Sequence, residues 1–107
     1  MNEISSNIDK WVESGAGVER RVRAENQDLM VVEFRFETGG VGAPHSHPHV
    51  QSTYVKSGVF DFEMDGDVSR IHAGDCFVIP SNTVHGCTCI EAGLLVDCFT
   101  PRRDDFL

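Results

Sequence analysis

The run FDFEMDGDVSRIHA, residues 60–73, decides the fold. Phe60, Phe62 and Met64 alternate with Asp61, Glu63 and Asp65, a period of two that puts apolar side chains on one face of an extended chain and acids on the other. Asp65-Gly66 then supplies the residue pair favoured in two-residue hairpin turns, and residues 68–73 return. Outward from this hairpin the same period recurs. Val18, Arg20 and Val22 share a face, and Met30, Val32, Phe34 and Phe36 alternate with Val31, Glu33 and Arg35. Residues 50–56, 76–79, 85–90 and 94–99 read as further strands, separated by Ser57-Gly58, Ala73-Gly74-Asp75, residues 80–83 and Ala92-Gly93. About eight short strands at nearly even spacing, with no long helix, indicate an all-β sandwich or closed barrel. Ile4, Ile8, Trp11 and Val12 fall at helical spacing behind Ser5 and Ser6, so a short amphipathic turn is expected there.

With 107 residues the chain is long enough for one domain with one core, needing no disulfide support. The expected division is an N-terminal extension over 1–17, a barrel over 18–99 and a tail over 100–107. Apolar residues make up 40% and charged residues 24%, as in ordinary globular proteins. The formal charge is −8, and no basic stretch exceeds Arg20-Arg21 and Arg102-Arg103, so no nucleic-acid partner is expected. Apolar runs reach only four residues, far short of a bilayer span, and no membrane association is expected. The opening MNEISSNIDK has neither a basic start nor an apolar stretch, which makes the cytoplasm the expected compartment. Cys76, Cys87, Cys89 and Cys98 are accordingly expected as reduced thiols, with Cys76 and Cys98 in the core.

Three of the five histidines crowd into GGVGAPHSHPHVQ, residues 39–51, and His85 follows the turn PSNTVH. On a strand His45 and His47 would face the same side about 7 Å apart, a spacing at which two imidazoles grip one cation. Gln51 lies four residues beyond His47, and His85 arrives from a separate hairpin. Three imidazoles and one oxygen donor suit Ni, Zn, Mn, Fe or Cu and leave positions open for water or substrate. The alternative reading is a polar loop of unconnected histidines, with Gln51 facing solvent. His72 reads as surface, and His49 either supports the ligand residues from behind or is simply exposed. Cys87 and Cys89 share strand parity with His85 and either line the same space or pack the interior.

Leu95, Asp97 and Phe99 share one face of the last strand. A lone carboxylate among apolar residues is costly to bury, so Asp97 invites a role as general acid or base, or else sits at a rim or pairs with arginine. Arg103 lies just past Pro101 in a tail that could fold back over a barrel mouth and hold a carboxylate on two prongs. Arg102 reads as a solvated charge.

Gly39, His45, His47, Gln51 and Gly58, followed by Gly74, Pro80, Asn82 and His85, form a two-part pattern that resembles the two cupin motifs. Three positions depart from it: Gln51 replaces the usual glutamate ligand, Asn82 a glycine, and Cys89 an asparagine. With the ending GLLVDCFTPRRDDFL, the chain resembles the small single-domain cupins of the pectin-degradation (KdgF-like) type. The resemblance implies a double-stranded β-helix, or jelly-roll barrel. It also implies a metal-dependent enzyme that opens the ring of 4,5-unsaturated monouronates, from pectin or alginate, to linear keto sugars. One divalent transition metal ion (Ni, Zn, Mn, Fe or Cu) would be held by His45, His47, Gln51 and His85. Asp97 and Arg103 would be catalytic, and Phe99 and Arg103 would bind a small anionic sugar. Two other functions fit the same motifs: a metal-dependent dioxygenase or other cupin enzyme, and a non-catalytic module that binds a sugar or acid. A homodimer is expected, because the apolar residues on both faces of the strand at 94–99 leave a second surface to cover.

Overall fold

Two long antiparallel strands carry the fold of the computed structural model, which describes residues 10–107. In chain order the strands are β1 (Val12–Gly15), β2 (Val18–Glu25), β3 (Met30–Phe36), β4 (Val41–His45), β5 (Val50–Met64), β6 (Asp67–His72), β7 (Cys76–Ile79) and β8 (His85–Thr100). A single 3-10 turn, Asp104–Phe106, follows. β5 and β8 pair along almost their whole lengths, from Val50 opposite Thr100 to Met64 opposite His85. Their outer partners change halfway. The first half of β5 pairs with β7 and its second half with β6, while β8 pairs first with β4 and then with β3. The sheet therefore folds over itself into two layers that share the same pair of strands, as the jelly-roll expectation requires.

The bend sits at Gly58 and Gly93. Register shifts cluster between Val55 and Phe60, and Gly58 holds φ +87. A side chain at Gly93 would overlap the Ser57 carbonyl oxygen. Ser57-Gly58 and Ala92-Gly93, expected to end strands, instead turn two continuous ones. At the Asp65-Gly66 turn both residues have positive φ, 49 and 86, as a hairpin of this kind demands.

Phe36, Val55, Phe60, Phe62, Ile79 and Leu95 belong to one buried cluster, and Val22, Met30, Val32 and Phe99 to a second, with Phe34 against both. Phe36 meets Phe60 edge-on at 5.1 Å. Cys89 packs in the first cluster, but Cys76 is exposed and Cys98 only half-buried, because both face outward on their strands. Glu33, on the outward face of β3, is buried yet paired with Arg21 at 2.7 Å and Arg23 at 3.2 Å.

The expected N-terminal helical turn falls partly on residues 1–9, outside the described residues. Val12 opens β1, which pairs with β2, and Trp11 lies under the guanidinium groups of Arg21 and Arg35 at 4.5 and 3.9 Å. None of the helices among the described residues is long and apolar enough to cross a membrane.

Candidate functional site

Two loops bring the histidines together. His45 ends β4, where it faces His85 across the pairing of β4 with β8, and His47 stands in the loop that follows. That loop is latched to the turn before β8: Asn82 N–H donates to the His47 carbonyl at 2.8 Å, and Ser81 Oγ donates to the Pro48 carbonyl at 2.7 Å. Asn82 can make its bond because it adopts the left-handed conformation, φ 61, that asparagine tolerates. The three imidazoles then sit with centroids 4.4 to 5.5 Å apart, and one nitrogen of each lies within 4.8 Å of the others.

The hydrogen-bond pattern says which nitrogen points inward. His45 Nδ1 lies 2.8 Å from the Ala43 carbonyl, His47 Nδ1 3.1 Å from that of His49, and His85 Nδ1 2.8 Å from that of Thr83. A carbonyl only accepts, so each Nδ1 carries the hydrogen and each neutral ring turns a bare Nε2 lone pair to the centre. Burial pushes the His47 and His85 rings below the usual histidine range, with the charge of Arg103 adding to it, which favours the neutral form. Gln51 Nε2 donates to Thr53 Oγ1 at 3.0 Å and to Asp97 Oδ2 at 3.1 Å, so its Oε1 is aimed at the centre, 3.0 Å from His47 Nε2. Acceptors thus converge with nothing to donate to them, and His85 Nε2 is buried without a partner. Such an array is repulsive unless a cation completes it, and this donor set fits a divalent transition metal.

Asp97 stands beside it, one step along the same network. It lies opposite Thr53 across β5 and β8, and the Thr53 hydroxyl and Gln51 amide both donate to it. Burial nevertheless pushes its carboxyl up to about 7, against the pull of those two bonds and of Arg103. Its other oxygen, Oδ1, is buried with no partner. Leu95, Asp97 and Phe99 all face inward, as strand parity predicts, and line a cavity of about 330 Å³ together with His45, Gln51 and His85. Most of the remaining wall is apolar. Cys87 joins it, with burial pushing its thiol up to about 12, while Cys89 belongs to the core.

The tail does fold over this cavity. Phe106 and Arg103 line it, and the Arg103 guanidinium lies against the rings of Phe106 at 4.2 Å and Phe99 at 5.2 Å. Arg103 also grips Asp105 through two hydrogen bonds of 2.9 and 2.8 Å. Arg102 is no solvated charge: it reaches Glu25 on β2 at 3.0 Å and Asp104 at 2.8 Å. His49 is half-buried and directs Nε2 to the Arg102 carbonyl at 3.2 Å, tying the histidine loop to the tail. Thr53 and Asp105 were missed from the sequence. Thr53 carried a signal, since it shares the inward face of β5 with Gln51, but Asp105 carried none.

Residues 32–96 match the cupin domain family. Over 99 residues the chain is 37% identical to the pectin degradation protein KdgF of Dickeya dadantii, covering 91% of this chain and 90% of that protein. Among solved structures, KdgF from Halomonas superposes with a TM-score of 0.87 at 42% identity, covering 92% of this chain and 91% of the other. An RmlC-like cupin from Shewanella frigidimarina superposes with a TM-score of 0.88 at 37% identity, over 92% and 88% of the two chains. The two-layered barrel, the paired histidine motifs and these likenesses agree, and the chain belongs to the cupins, among the small KdgF-like members of that family.

Proposed function

We propose that this chain is a metal-dependent enzyme of pectin or alginate breakdown, which opens the ring of 4,5-unsaturated monouronates to give linear keto sugars. The observation that carries the reading is the order of groups around one cavity: a cluster of neutral nitrogen and oxygen acceptors, then a buried Asp97, then Arg103 at the tail. A KdgF-like relative named for pectin degradation supports the substrate class.

The substrate holds a C4=C5 enol ether beside a carboxylate. Opening it removes the proton of the C1 hydroxyl, breaks the bond from C1 to the ring oxygen, leaves an aldehyde at C1, and puts a proton on C4 as C5 becomes a ketone. The proton lost and the proton gained balance. Asp97 is suited to carry it, because a carboxyl near 7 exists in both forms at neutral pH. Gln51 fixes Oδ2 of that carboxyl, which leaves the unpartnered Oδ1 to meet the substrate. Arg103 holds the substrate carboxylate, and Phe99 packs on the sugar. A divalent ion held by His45, His47, Gln51 and His85 supplies a Lewis acid whose charge no ligand neutralises, which suits an anionic substrate. Closing the cavity wall with Phe106 and the rings of Phe34 and Phe36 excludes water that would compete for the proton.

Purified, metal-loaded protein should abolish the ultraviolet absorbance of unsaturated galacturonate, and Asp97→Asn and Arg103→Ala should each lose most of that turnover. Recovery of the sugar unchanged would overturn the proposal, and oxygen uptake dependent on substrate and metal would replace it with a dioxygenase. We also propose that two copies pair, since Val50, Tyr54 and Val78 stand exposed on the outer face of β5 and β7; a monomer by light scattering would refute this.

A further inference from the structure

We propose that Asp105 is the positioning residue that makes Arg103 a two-pronged receptor for a planar carboxylate; the proposal rests on the uronate reading and specifies how its acid group is held. A guanidinium has two edges that each present a pair of parallel N–H donors, one through Nε and Nη2 and one through Nη1 and Nη2. Asp105 takes the first of these, Nε to Oδ1 at 2.9 Å and Nη2 to Oδ2 at 2.8 Å. The second edge carries no hydrogen bond among the described residues. Asp105 is exposed and lies outside the cavity wall, whereas the Arg103 side chain is only 12% exposed and forms part of it. The bonded edge therefore faces out and the open edge faces in. The charge of Arg103 is felt at Asp97, His47 and His85, as an inward-facing cation requires.

The guanidinium is packed as well as bonded. Its central carbon lies 4.2 Å from the centre of the Phe106 ring, and that ring is held by Phe34 at 6.0 Å, by Phe99 at 5.8 Å and by the Arg20 guanidinium at 4.3 Å. Arg20 in turn donates Nη1 to Ser14 on β1 at 3.1 Å, so the anchor reaches back to the first hairpin. With the Nε edge bonded and Phe106 packed against the group, the Nη1 and Nη2 edge is left for in-plane approach, the approach that two carboxylate oxygens make. Asp105 offsets part of the charge. Recognition then rests on donor geometry as well as on net attraction, which favours a planar carboxylate over inorganic anions.

Galacturonate, the saturated sugar acid, tests this by calorimetry on metal-loaded protein, with sulfate as the second probe. Asp105→Asn should weaken galacturonate about tenfold, the effect of losing one well-placed charge-assisted bond, while sulfate binds at least as well as to wild type. Arg103→Lys should lose as much, and the double variant no more than Arg103→Lys alone. Metal content and unfolding midpoint should not change. Unchanged galacturonate affinity in Asp105→Asn, equal weakening of both anions, or additive losses in the double variant would each overturn the proposal. If wild type binds no galacturonate, the uronate reading falls, and the positioning is decided separately by the Arg103 Nε–H resonance. A slowly exchanging signal in wild type that is lost in Asp105→Asn supports it, and fast exchange in wild type overturns it.

Discussion

Asp97→Asn should stabilise the metal-free protein at alkaline pH while it destroys turnover. Burial raises the Asp97 carboxyl from 3.8 to about 7, so the ionised form in the folded chain is disfavoured by roughly 3 pH units, or about 4 kcal/mol. The folded-state value lies above the unfolded one. Stability from this group is therefore complete below about pH 4 and is lost progressively as pH rises to about 7, with roughly 2–3 kcal/mol of the loss falling between about pH 5 and pH 8. Asparagine has no charge to desolvate. Its oxygen can accept from Gln51 as Oδ2 does, and its amide takes the place of the unpartnered Oδ1. The amide's own missing partner costs the same at every pH, so it cancels when the two conditions are compared. Urea unfolding of chelator-treated wild type and Asp97→Asn at both pH values measures the quantity directly: the advantage of the variant should grow by about 2–3 kcal/mol from pH 5 to pH 8. A change below about 0.5 kcal/mol would refute the claim that the fold holds this carboxylate against its hydration.

Three further perturbations follow from other parts of the molecule. His85→Ala and His45→Ala should each purify with little metal, as read by elemental analysis, yet retain the fold by circular dichroism, because each ring's only hydrogen bond among the described residues is to a carbonyl two residues before it, so its loss breaks no bond between elements. Glu33→Gln should destabilise by about 1–2 kcal/mol near neutral pH. Burial alone would raise the Glu33 carboxyl, but its bonds to Arg21 and Arg23 outweigh that and hold it low, so the stabilisation is present above the unfolded value and disappears as pH falls through the folded one. The two proteins should converge in acid denaturation once Glu33 is protonated in the folded chain. Gly93→Ala should cost about 3 kcal/mol or more in chemical denaturation, since the new methyl group meets the Ser57 carbonyl and the backbone there has no slack.

The inward side chains were legible wherever a strand keeps its period of two: Phe60, Phe62, Leu95, Asp97 and Phe99 all face the interior, as alternation requires. The hairpin turn at Asp65-Gly66 was legible for a chemical reason, the tolerance of positive φ. Strand β4 was not, because Val41, Gly42, Ala43, Pro44 and His45 show no apolar alternation, and its pairing to β8 comes from the tertiary fold. Nor was the continuity of β5 and β8, since a glycine that bends a strand and a glycine that ends one look identical in a chain. The metal-binding set was readable from spacing in two separate segments. Its setting was not: Thr53 acts through a side-chain relay, and Asp105, Arg102 and His49 act through contacts with the tail that no local pattern encodes.

The latch from Ser81 and Asn82 to the histidine loop means that the receptor for the ion is assembled by hydrogen bonds to backbone carbonyls before any ion arrives. Loading then resembles filling a socket rather than tying a knot, and stripping the ion should leave the scaffold standing for refilling. Occupancy in a living cell would accordingly follow the relative abundance of competing first-row ions, modulated by their intrinsic affinity series, more than any selection exerted by the polypeptide.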